Sequence, residues 1–79
     1  MKDVVEDFNT KVRTAIKERL DELGMTQYRF VRNYPGIVLG ETLSKIMNGH
    51  TTPNLRTLVK YFDLLGLELK IIKKDENND

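Results

Sequence analysis

Between Gly24 and Gly49 the chain is punctuated so closely that it has room only for two short helices and a tight connection. Thr26, following Gly24-Met25, can accept from the unpaired amides of the next turn, so a helix is expected to start at Gln27. Phe30 and Val31 supply its apolar contacts, while Gln27, Tyr28, Arg29 and Arg32 are its polar or amphipathic positions. Asn33-Tyr34-Pro35-Gly36 must end it, because proline disfavours helical geometry in the residue before it and glycine relaxes the turn that follows. Beyond the apolar landing Ile37-Val38-Leu39, the run from Gly40 to Asn48 reads as a further helix stopped by Gly49. Helical spacing points Val38 or Leu39, Leu43, Ile46 and Met47 inward. Gly40, Glu41, Thr42, Ser44, Lys45 and Asn48 are then left outward or on the flanks, a mostly short-chained face that another surface can approach closely.

The flanking segments look like scaffold. From Asp3 to Leu23, the residues Val5, Phe8, Val12, Ile16 with Ala15, Leu20 and Leu23 recur at intervals of three and four, one stripe of an amphipathic helix that Gly24 ends. Its charges, Lys11 and Arg13 among them, read as a solvated face. Pro53-Asn54 introduces a last helix with Leu55, Leu58, Val59, Phe62 and Leu65 as its stripe and Gly66 as its stop. From Leu67 the pattern changes to alternation, with Leu67, Leu69 and Ile71 on one face, which predicts a strand over 67–74. A lone strand after four helices needs partners for its backbone groups. The simplest partner is the same strand of a second copy, antiparallel across a two-fold axis, burying Leu67, Leu69 and Ile71 over the helices of a homodimer. The alternative is a frayed extension. Residues 75–79, with three acids and no base, read as a disordered acidic tail.

Composition bounds what such a chain does. Seventy-nine residues make a single domain, placed at 1–74, with a modest core unless the chain oligomerises. With no cysteine and one histidine, His50, neither a disulfide framework nor a Cys/His metal site is expected, and no cofactor is implied. No apolar run reaches the roughly 20 residues that span a bilayer, and the charged start Met1-Lys2-Asp3-Val4-Val5-Glu6-Asp7 does not resemble a signal peptide, so a cytoplasmic protein without a membrane partner is expected. Setting aside the three acids of the tail leaves the rest of the chain near +4, mildly basic. No nucleophile and base stand at a catalytic spacing, so the chain is not expected to be an enzyme.

The segment Gly24-Met25-Thr26-Gln27, the turn, Thr42-Leu43-Ser44-Lys45-Ile46-Met47-Asn48-Gly49 and the downstream Pro53-Asn54-Leu55-Arg56-Thr57-Leu58 together resemble the Xre/Cro/C1-repressor type of helix-turn-helix domain, over residues 12 to 66. The resemblance implies a mainly α, lambda-repressor-like bundle of about four helices, extended by the C-terminal dimer strand. It implies that the helix from Gln27 lies across a DNA backbone while the helix from Gly40 enters the major groove. Gln27 matches the glutamine that bonds a phosphate and braces the recognition helix. Gly40, Glu41, Thr42 and Lys45 match the base-reading positions, and Asn48, His50, Thr51 and Thr52 match phosphate contacts made through backbone amides and side chains. Arg29, Arg32 and Ser44 stand where they can add phosphate contacts. Two features depart from the family: the turn over 32–37 is about two residues longer, and Val31 replaces a small residue between the helices.

The chemistry of these side chains leaves alternatives open. Lys45 can donate to guanine O6 and N7, whereas Glu41 can only accept, which suits cytosine N4 or merely the helix dipole. Thr42 can meet a thymine methyl or face water. The implied function is a sequence-specific DNA-binding regulator, a repressor or the antitoxin of a toxin-antitoxin pair, dimeric on an inverted repeat. Its partners are double-stranded DNA, a second copy and, for an antitoxin, a toxin. The alternative is a helix-turn-helix fold used as a protein-interaction module.

Overall fold

The computed structural model describes residues 3–70 and holds four helices, α1 Val4–Glu22, α2 Gln27–Asn33, α3 Gly40–Met47 and α4 Leu55–Leu64. Three of them start on a short polar side chain that takes up otherwise unpaired amides. The Asp3 carboxylate accepts from Val5 and Glu6 at 3.1 and 3.2 Å, Thr26 Oγ1 from Arg29 at 3.1 Å and Asn54 Oδ1 from Thr57 at 2.8 Å. α3 differs: its N-cap is Leu39, and no side chain caps it. The connection between α2 and α3 is built on Tyr34-Pro35-Gly36-Ile37, where the Ile37 amide donates to the Tyr34 carbonyl at 3.1 Å. Proline supplies the first central residue and Gly36, at φ +82°, the second, which a side-chain-bearing residue would strain.

The core is one cluster drawn from every helix and from the turn. Val12, Ile16 and Leu20 of α1, Phe30 of α2, Val38 of the turn, Leu43 and Ile46 of α3, Leu58, Tyr61 and Phe62 of α4, and Leu65 at the C-cap of α4 are all buried. Phe30 sits at its centre, edge-on to Tyr34 at 5.6 Å and to Tyr61 at 5.9 Å between ring centroids. α1 and α4 run side by side in the same direction, since Asn9 reaches Thr52 just before α4 starts and Arg19 Nε donates to the Leu65 carbonyl at 2.6 Å where it ends.

Four sequence expectations need correction. In α1 the buried line passes through Asn9 rather than Phe8, and Val5 and Phe8 are exposed. Leu23 is also exposed, because the chain turns away at the C-cap it occupies. In α4, Tyr61 takes the inward position that the aliphatic count assigned to Leu55 and Val59, which lie exposed on the flank. In the apolar landing Val38 goes inward, one of the two positions that the spacing offered, and Ile37 and Leu39 face out.

The predicted dimer strand is the fourth. Leu67 to Lys70 has no strand geometry. The Leu67 amide instead donates to the Phe62 carbonyl at 2.7 Å, closing α4 and leaving Leu67 half-buried against the core, with Leu69 beyond it in solvent. A strand is defined by its partner, and within a single described chain this segment has none. Ile71 and the remainder of the 67–74 segment, like the 75–79 tail, lie outside the described residues.

Burial pushes the Tyr61 phenol above its ordinary value of 10.0, against a smaller opposing effect of a hydrogen bond from the Leu39 backbone. The folded-state pKa therefore lies above the unfolded one. The stability tied to the neutral phenol is intact below the unfolded value and is lost as pH rises through the folded value. Urea midpoints should accordingly fall on the alkaline side of about pH 10, and Tyr61→Phe should flatten that fall. An unchanged alkaline profile in the variant would assign the loss to other groups.

Candidate nucleic-acid interface

α2 and α3 face each other through Val31 and Gly40: Val31 Cγ1 lies 4.0 Å from the point where a Cβ on Gly40 would stand, an ordinary van der Waals distance. A shallow cleft between the two helices is lined by Gln27, Tyr28, Val31, Gly40 and Leu43.

The outward face of α3 carries Gly40, Glu41, Ser44, Lys45 and the following Asn48 exposed, with Thr42 half-buried. Its polar groups pair along the helix. Lys45 Nζ lies 3.7 Å from Glu41 Oε2, and Asn48 Nδ2 donates to Ser44 Oγ at 3.3 Å. Both charged partners are well exposed, at 57% and 84%, so the ion pair is weak and readily exchanged for another partner. The lack of a side-chain cap at Leu39 leaves the first amides of α3 as free donors beside this face.

Gln27 is exposed at the start of α2 and lines a groove with Lys17, Thr26, Met47 and Asn48, which puts it between the first turn of α2 and the end of α3. No hydrogen bond of its side chain is found among the described residues, so any bracing bond waits on a ligand. Arg29 and Arg32 line a second cleft with Gly24, Thr26 and Tyr28. Arg32 Nη1 donates to the Tyr28 hydroxyl at 2.9 Å and its guanidinium lies over the same ring at 5.6 Å from the centroid. Among the described residues neither arginine of α2 has a carboxylate partner.

The loop after α3 closes that helix with its first three amides. The amides of Asn48, Gly49 and His50 donate to the carbonyls of Ser44, Ile46 and Lys45 at 3.0, 3.1 and 2.8 Å, closing the helix. They are therefore committed, and contact from these residues falls to side chains. His50, Thr51 and Thr52 are exposed. Beneath the loop lies one face of α1: Asn9 Nδ2 donates to Thr52 Oγ1 at 3.0 Å, and the Arg13 guanidinium would meet a Cβ on Gly49 at 3.4 Å. Arg13 is held there by Glu6 Oε2 and Thr10 Oγ1 at 3.3 and 3.2 Å.

Asn9, Arg13 and Lys17 were not assigned to this surface from the sequence. The signal for Asn9 was present, since position 9 falls on the same helical face as Val5, Val12 and Ile16 and interrupts an apolar line. A second signal is the distribution of charge along the chain. α1 neutralises itself, through Lys11–Asp7, Arg13–Glu6, Lys17–Asp21 and Arg19–Glu22. From Leu23 to Phe62, by contrast, Glu41 is the sole acid against Arg29, Arg32, Lys45, Arg56 and Lys60. No three histidine or acidic side chains gather into a metal-binding group among the described residues, and no helix there is long and apolar enough to cross a membrane. In comparisons with family models, curated proteins and solved structures, nothing matches the chain.

Proposed function

We propose that the chain is a sequence-specific DNA-binding transcriptional regulator of lambda-repressor-like architecture, with α2 lying over the phosphate backbone and α3 in the major groove. The observation that carries this reading is the coincidence of an α2-turn-α3 unit with the acid-poor stretch of the chain. Among the described residues Arg29 and Arg32 pair with no carboxylate at one edge of the unit, and the short polar side chains of α3 face outward from it. Gly40, Glu41, Thr42 and Lys45 are the base-facing positions; Gln27, Arg29, Ser44, Asn48, His50, Thr51 and Thr52 border them as phosphate contacts.

The regulator acts as a homodimer, a second copy doubling the contacts on an inverted repeat whose half-sites lie about one helical turn apart. Repression follows from occupancy alone, and a toxin is the protein partner if the chain is an antitoxin. Selection from a random duplex library at low salt should enrich a two-fold symmetric sequence, bound with a steep salt dependence. Recovery of no enriched sequence would sink the reading. The exposed Ile37 and Leu39, apolar side chains beside α3, favour the second reading, a protein-interaction module. That reading expects duplex binding that is weak and indifferent to sequence.

A further inference from the structure

Asn9 is an unusual residue to find where it is. It is only 7% exposed, on the face of α1 that otherwise carries Val12, Ile16 and Leu20, and among the described residues nothing donates to its buried Oδ1. An unsatisfied buried carbonyl costs stability, so an apolar side chain would suit the fold better. What Asn9 does make is one hydrogen bond, from Nδ2 to Thr52 Oγ1 at 3.0 Å.

We propose that Asn9 is a positioning residue for a phosphate site at Thr52, and that its amide sets the direction in which the Thr52 hydroxyl donates. A hydroxyl has one proton and two lone pairs. With one lone pair occupied by the Asn9 N–H, the proton is turned away from α1, and Thr52 lies on the exposed loop where that direction is outward. An outward donor suits a phosphodiester oxygen, which only accepts. Arg13, one helical turn after Asn9 on α1, lies with its guanidinium against Gly49 of the same loop, and a phosphate there competes for it with Glu6, its partner at 3.3 Å. The inference rests on the DNA-binding reading and adds to it a residue that never touches the nucleic acid. The orphaned Oδ1 follows from the same geometry, because turning the amide over would bring the Thr52 proton inward and leave Nδ2 without an acceptor instead.

The test measures binding of the full chain to its selected duplex as a function of salt, alongside thermal melting. Thr52→Val, of the same shape without the hydroxyl, should weaken binding about tenfold, the scale of one hydrogen bond to a charged group. Asn9→Leu should weaken it by a similar factor while melting at the same temperature or higher. The double variant should bind no worse than Thr52→Val alone, and Thr52→Ser should bind like the unmodified chain. The salt slope should stay unchanged in all of them, because no cation is removed. Should Asn9→Leu not fold, Asn9→Ala takes its place in the same cycle. If Asn9 variants bind as tightly as the unmodified chain, or if their effect adds in full to that of Thr52→Val, the positioning role is overturned while the DNA-binding reading stands. If the unmodified chain enriches no duplex, both fall together.

Discussion

A Phe30→Ala chain is expected to lose about 3–5 kcal/mol of folding stability, the usual cost of deleting a fully buried phenylalanine. For a domain of this length the whole margin is only about 4–12 kcal/mol, so the variant should be partly or wholly unfolded at ambient temperature. The reason is topological as much as volumetric. Phe30 is completely buried and is the one fully buried residue α2 contributes, so with the half-buried Val31 beside it, it is the main anchor of that seven-residue helix in the core. Its ring meets Tyr34, which opens the turn, and Tyr61 of α4, so its loss leaves a void against both. A helix this short has little stability of its own. Urea denaturation followed by circular dichroism measures the effect. A loss below about 1.5 kcal/mol would mean that α2 is held mainly by other contacts.

Lys45→Ala is expected to weaken binding to the selected duplex by about 10- to 100-fold, the range for removal of one base-specific contact. It should also relax specificity at a single base pair and lower the salt slope by about one. Glu41→Gln is expected to act in the opposite direction on general affinity. In the free protein Glu41 neutralises Lys45 at 3.7 Å, and a carboxylate on a phosphate-facing helix is repelled. Removing its charge should raise non-specific affinity and steepen the salt slope. Melting temperature should hardly move in either variant, since an exposed i,i+4 pair contributes little to folding. A specific loss in Glu41→Gln, confined to one base pair, would instead mark Glu41 as a reader of cytosine. Unchanged binding in Lys45→Ala would remove α3 from the groove.

Much of the fold was legible because helix boundaries depend on local chemistry. Asp3, Thr26 and Asn54 cap the helices they precede, and Pro35-Gly36 makes the turn it implies. What failed was the choice of which apolar residues are buried. Phe8, Leu55 and Val59 are apolar and were read as inward, yet they are exposed while Asn9 and Tyr61, on the same helices, are inside. Periodicity reports that a helix has an apolar side; it does not report how far a neighbouring helix extends to cover it. Leu67 to Lys70 take no strand geometry for a related reason, since alternation shows only that a segment suits an edge and not that an edge is present.

The candidate interface divides along the same line. Residue types along α2 and α3, and the scarcity of acids from Leu23 to Phe62, are properties of the sequence, as are the positions where the chain must turn. That Asn9 reaches Thr52 across 43 positions and that the Arg13 guanidinium lies against Gly49 was decided by the packing alone. Caps and turns form within a few residues of the side chains that specify them. A hydrogen bond between α1 and the loop before α4 depends on how the four helices settle around Phe30.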